Sequence, residues 1–202
     1  MPIMKLALAS LILASYAPAT GTKLVDSWKD PDIQKFGFKK ILVVAVTKEP
    51  TMRKDAEERL REIMGRDRTV PSYTLFPNVD PPPDQEQAKA KIEEAGCDGV
   101  VLMRAVSSSA KTSNIPGSIV YDPLMYDAFW GYWGSVYTTR WASGYEERDI
   151  AIRIETMVYD IPKNKLVWSG VSSTKNPGSV RNLVLGVADA VGKQMKKEKL
   201  LK

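Results

Sequence analysis

The residues of this chain best equipped to meet another molecule lie between Tyr121 and Tyr145. Tyr121, Tyr126, Phe129, Trp130, Tyr132, Trp133, Tyr137, Trp141 and Tyr145 place nine of the seventeen aromatic side chains in 25 residues, with Gly131, Gly134 and Gly144 between them. Amphipathic rings suit stacking on sugars, protein interfaces and the headgroup zone of a membrane. The glycines let the backbone turn tightly or approach a partner. Trp130, Tyr132, Trp133, Tyr137 and Trp141 are the candidate contact set. The competing reading is a long hairpin or loop whose rings pack on the body of the protein and on each other. The spacing matches no chemical constellation, so composition alone carries the signal.

Acidic residues surround the same segment: Asp122 and Asp127 within it, Glu146, Glu147 and Asp149 just after it. A pair of carboxyls beside aromatic rings is what glycoside hydrolysis uses. A His-free hydrolase of envelope glycan, drawing on Asp122, Asp127, Glu146 or Asp149, is therefore the alternative to a binding role. Other chemistry is excluded by composition. The chain has no His and one Cys, so it holds no His-based triad or general base, no His or multi-Cys zinc site, no iron–sulfur cluster and no internal disulfide. Ser107, Ser108, Ser109 and Ser113 lack a His partner, and Lys111 lies in a polar run unsuited to lowering its pKa. Neither phosphate-binding glycine fingerprint is present, nor an EF-hand loop. No catalytic set, metal site or cofactor is expected. Asp55, Glu57, Glu58, Glu93 and Glu94 fall on helix faces that read as solvated surface. Cys97 reads as a small buried thiol.

Residues 1–19 read as an export signal. Lys5 precedes the apolar run Leu6–Ala14, which is shorter than the roughly 20 residues a membrane span needs. Ala17-Pro18-Ala19 offers small residues for cleavage before Thr20. Leu13-Ala14-Ser15 is the triplet that precedes the acylated Cys of bacterial lipoproteins, but Tyr16 follows it. A buried N-terminal helix is the other reading. The net charge of +5 owes much to Lys193, Lys196, Lys197, Lys199 and Lys202 at the end of a helix, where cations complement the dipole. No nucleic-acid partner is expected, and no transmembrane span in the mature chain.

The elements that must position the aromatic segment follow from periodicity. Thr22–Trp28 reads as a strand, Lys40–Thr47 as a strand buried on both faces. Thr51 is placed to cap a helix ending at Gly65, with Met52, Ala56, Leu60, Ile63 and Met64 on one stripe. Val70–Phe76 reads as a strand, 77–83 as an extended proline-rich connector, and Asp84 as the cap of a helix closed by Gly96. Asp98–Val106 is the next strand. These pieces form a βαβαβ half with right-handed crossovers and parallel pairing. After the insertion at about 112–146, Asp149–Tyr159 and Lys165–Ser173 form an antiparallel hairpin with one wetter face. Ser179 caps a closing amphipathic helix. The expected fold is a single α/β sandwich over 20–202: a mixed sheet, helices on at least one face, and a C-terminal helix docked through its apolar stripe.

In their order, several pieces resemble a group of bacterial envelope lipoproteins that carry a domain of unknown function. They are Ser27-Trp28-Lys29-Asp30-Pro31, Phe38–Val44, Val70–Leu75, Ala95–Val101, the Gly/Tyr/Trp-rich insertion, and the hairpin ending Asn164–Gly170. The resemblance implies an exported α/β protein of the periplasm or outer membrane, usually lipid-anchored. Tyr16 stands where the acylated Cys is expected. The implied partner is an envelope protein or glycan, and any membrane association is peripheral.

Overall fold

Ile41–Val46 (β2) is apolar at every position and fully or nearly buried along most of its length, which places it inside a sheet covered on both faces. The computed structural model describes residues 21–78, 83–110, 128–130, 133 and 150–201, excepting the side chains of 107–110 and 150. Around β2 are Thr22–Lys29 (β1), Thr69–Pro71 (β3), Gly99–Ala110 (β4), Ile150–Asp160 (β5) and Lys165–Lys175 (β6). The helices are Pro50–Met64 (α1), the single turn Ser72–Leu75 (α2), Gln85–Glu94 (α3) and Val180–Lys197 (α4). The six strands form one mixed sheet in the order β1-β6-β5-β4-β2-β3. β2 runs parallel to both β3 and β4, and β4-β5, β5-β6 and β6-β1 are antiparallel. The fold is thus the expected α/β architecture, with the parallel βαβαβ half joined to the hairpin through β4.

Alternation along the strands sorts the core into two layers. Ile41, Val43, Val101, Met103, Ile154 and Val158 pack against Leu60 and Met64 of α1 and Leu183, Val187, Val191 and Met195 of α4. On the opposite face Leu42, Val44, Val100, Leu102, Met157 and Tyr159 meet Ala88 and Ile92 of α3, Phe76, Phe129 and Trp133. Helices therefore cover both faces. The expected wetter face of the β5–β6 hairpin is largely covered: Glu155, Met157 and Tyr159 are buried and Arg153 is half-buried, with Phe129 and Trp133 packed in one cluster with Met157 and Tyr159.

Two helix caps fall where the sequence placed them. Asp84 accepts from the N–H groups of Glu86 and Gln87, and Ser179 from that of Asn182. Gly65 and Gly96 follow α1 and α3 with φ of 101° and 69°, which a side chain would resist. Two boundaries differ. Glu49, not Thr51, is the N-cap residue of α1, because Pro50 fits the first helical position, where no N–H is needed. The expected strand over 70–76 ends at Pro71 and gives way to α2. A buried carboxylate draws that segment inward, as described next.

Candidate functional site

The aromatic segment meets the body of the protein through Phe129, Trp130 and Trp133. Phe129 is fully buried and sits at the centre of a ring cluster, 5.2 Å from Tyr159, 4.8 Å from Trp130 and 5.6 Å from Trp133 between centroids. All three pairs are tilted or edge-on, the arrangements the ring quadrupole favours. Trp133, 1% exposed, also packs against Phe76, and its Nε1–H donates to the Pro83 carbonyl at 3.3 Å. The buried indole N–H is thereby satisfied. Lys91 holds its ammonium 5.6 Å from the Phe76 ring centroid on the edge of the same cluster.

Trp130 differs from its neighbours. It is half-buried, and its backbone N–H donates to Asn164 Oδ1 at 3.2 Å. Asn164 occupies the turn between β5 and β6 with a φ of 48°, a conformation Asn tolerates. One ring of the candidate contact set is thus held at the surface by two rings that are not at the surface. Trp133 belongs to the core and supports Trp130 from beneath, so it does not form part of an open contact face. Tyr132, Tyr137 and Trp141 lie outside the described residues, as do Asp122, Asp127, Glu146, Asp149 and residues 1–19.

A second polar centre was not anticipated. Glu57, read above as solvated surface, is fully buried, as is Ser72, and Arg53 is 3% exposed. The Glu57 carboxylate accepts from Ser72 Oγ at 2.6 Å, Arg53 Nε at 3.1 Å, and the backbone N–H groups of Ala45 and Tyr73 at 3.1 and 3.0 Å. Arg53 also donates to the Phe76 carbonyl and to Ser72 Oγ. Burial pushes the Glu57 carboxyl above its usual range, while Ser72, Tyr73 and Arg53 pull against that shift. A Ser–carboxylate contact at 2.6 Å resembles an activated nucleophile, but no substrate reaches a fully buried hydroxyl that already serves Arg53. The cluster ties α1 to β2 and α2, and it ends β3 early by capturing Ser72 and Tyr73. Its signal was present: Arg53, Glu57, Leu60 and Met64 follow the same four-three-four spacing as the apolar stripe.

Beside it, Glu58 accepts from the Tyr73 hydroxyl at 2.6 Å and from Arg61 and Arg66. These bonds, Tyr73's first, hold its carboxyl below the usual range. Glu93 and Glu94 are exposed, as read. Cys97 is buried, and burial pushes its thiol up, away from reactivity. Among the described residues no cluster of three or more carboxylate or thiol groups could hold a metal ion, and no helix is long and apolar enough to cross a membrane.

No protein-family model matches the chain, and no curated protein does. Solved structures similar to it include a dodecamer of PelC from Paraburkholderia phytofirmans, at 10% identity and a TM-score of 0.46, covering 90% of this chain and 99% of that one. A lipoprotein, GNA1162 from Neisseria meningitidis, is similar at 13% identity and a TM-score of 0.41 over 78% of this chain and 98% of that one. Likeness of this degree assigns neither family nor function.

Proposed function

We propose that this chain is a non-enzymatic binding or accessory protein of the bacterial cell envelope, exported through residues 1–19, which presents its Gly/Tyr/Trp-rich segment to an envelope glycan or protein. The observation that carries the reading is Trp130. It keeps part of its indole at the surface while Phe129 and Trp133 hold it from below and Asn164 fixes its backbone. A ring held in place before binding loses little freedom on stacking against a sugar or an apolar side chain. The export signal supplies the compartment, and the order of motifs resembling envelope lipoproteins agrees with it.

Two experiments test this. A photo-crosslinking side chain at position 130 in cells should capture one envelope glycan or protein, and Trp130→Ala should weaken binding of the captured species by roughly 2- to 10-fold, the value of one stacking contact. Unchanged binding in a folded variant overturns the assignment. The intact mass of the exported protein should correspond to a chain beginning at Thr20. A retained Met1 overturns export by cleavage.

A further inference from the structure

A cavity of about 640 Å³ opens at one end of the sheet, where β2 and β4 begin and α1 and α4 end. Its floor is apolar. Phe36 and Phe38 stack with centroids 5.7 Å apart, and half-buried Ile63 and Leu201 extend the surface. Phe38 lies so close over Gly99 that a Cβ there would stand 2.6 Å from the ring, so the floor is built into the sheet. The rim is cationic. Lys35, Lys196 and Lys199 are exposed and form no ion pair among the described residues. Arg68 is fixed beside them by its Nε–H, which donates to the Met64 carbonyl at 2.7 Å. Among the described residues Glu62 is the one carboxylate in the lining, and Arg59 and Arg66 already engage it, each at 2.6 Å.

Lysines at a helix end complement the dipole, and that accounts for part of this arrangement. Two helix C-termini supply roughly half a negative charge each, less than the four cations around the cavity. Lys39 and Lys40 add exposed ammonium groups at the entrance to β2, while the neighbouring Asp98 carboxylate accepts both of their backbone N–H groups at 2.9 Å. The rim therefore keeps an excess of positive charge that nothing described neutralises.

The geometry points to this cavity as a site for the headgroup of an anionic phospholipid at a membrane surface, with the phosphate on the lysine rim and the glycerol–acyl junction over the half-buried Phe38, Ile63 and Leu201, which buried Phe36 backs. A free phosphate or a soluble anionic polymer would satisfy the rim and leave the floor facing water. An amphiphile satisfies both, since apolar contact and attraction to anionic lipid add in interfacial binding. The site is separate from Trp130 and does not rest on the function proposed for it.

The test is co-sedimentation of the protein with vesicles of phosphatidylglycerol mixed with phosphatidylcholine, against phosphatidylcholine alone. Binding is expected on the anionic vesicles only, and it should weaken as salt rises and the Debye length shrinks. Lys35→Glu/Lys199→Glu, two changes at exposed side chains, should weaken it by at least about 25-fold, roughly fivefold for each lysine lost from an anionic surface. The thermal unfolding midpoint shows that the variant is folded, and Lys35→Gln/Lys199→Gln serves in its place if it is not. Equal binding to both vesicle types, no binding to either, or parental binding by a folded variant overturns the proposal. So does displacement by inorganic phosphate at matched ionic strength, which would identify a site for the free anion.

Discussion

At the scale of single residues, neighbouring rings in one segment have opposite roles. Trp133→Ala should lower the stability to chemical denaturation by about 3–5 kcal/mol, because it empties a fully packed site and leaves the Pro83 carbonyl without its donor. Trp130→Ala should change stability by less than about 1 kcal/mol, since its ring is already part-exposed. A Trp133 variant as stable as the parent would mean that the ring cluster is not the anchor described. Aromatic composition located this segment but did not separate anchor from platform. That division depends on Phe76, Pro83, Tyr159 and Asn164, which lie up to 57 residues away in the chain. Caps were legible for the opposite reason: Asp84 and Ser179 bond to backbone groups only two or three positions on.

At the scale of elements, the buried ionic cluster and the α1–α4 contact decide how the helices seat. Glu57→Ala should cost about 3–5 kcal/mol, because Arg53 would remain buried without its counter-charge. The paired change Arg53→Met/Glu57→Leu should recover most of that loss, and urea titration of the single and double variants checks it. Failure to recover would show that the hydrogen bonds to Ser72, Ala45 and Tyr73, not the charge pair, hold α2. Where α4 crosses α1, a Cβ at Gly192 would meet Ile63 Cγ2 at 2.7 Å. Overpacking of this kind costs about 1–3 kcal/mol, against a helix-propensity gain of roughly 1 kcal/mol for Ala over Gly. Gly192→Ala should therefore be neutral to destabilising by about 2 kcal/mol, and Ile63→Leu, which removes the clashing branch, should relieve it. The period of three and four in both helices announced that they dock. Which residue of one faces which of the other was not readable, because the crossing is set by the sheet beneath them.

At the scale of the whole molecule, several carboxyls are held below their usual range, and one of them, Asp30, joins distant parts of the chain. Asp30 accepts from Lys165 on β6, which holds its carboxyl below its usual value; Glu58 is held low first by Tyr73 and Glu62 first by Arg59. A carboxyl depressed in the folded state stabilises it above the unfolded value and loses that contribution as pH falls through the folded value. Stability should accordingly decline once pH drops below the ordinary carboxylate values of 4.5 and 3.8. Burial shifts Glu57 the other way, so its protonation offsets part of the decline. Lys165→Met should be less stable than the parent at neutral pH, and the gap should close as pH falls below 3.8. A gap that persists in acid would show that Lys165 acts through packing instead of through Asp30.

The sequence by itself determined the main strands and helices apart from the turn α2, the parallel half and the hairpin, two of the helix caps and the absence of His-based chemistry, since each depends on composition or on periodicity within a dozen residues. Only the tertiary structure decided that β1 closes the sheet beside β6, that both faces are covered, that Glu57 is inside, and that Trp130 alone of its described aromatic neighbours reaches the surface. It also gathered Lys35, Arg68, Lys196 and Lys199 around one cavity. Those outcomes depend on which distant surfaces exclude water together; the helical spacing of Glu57 is compatible with burial, but only the assembled layers make it so.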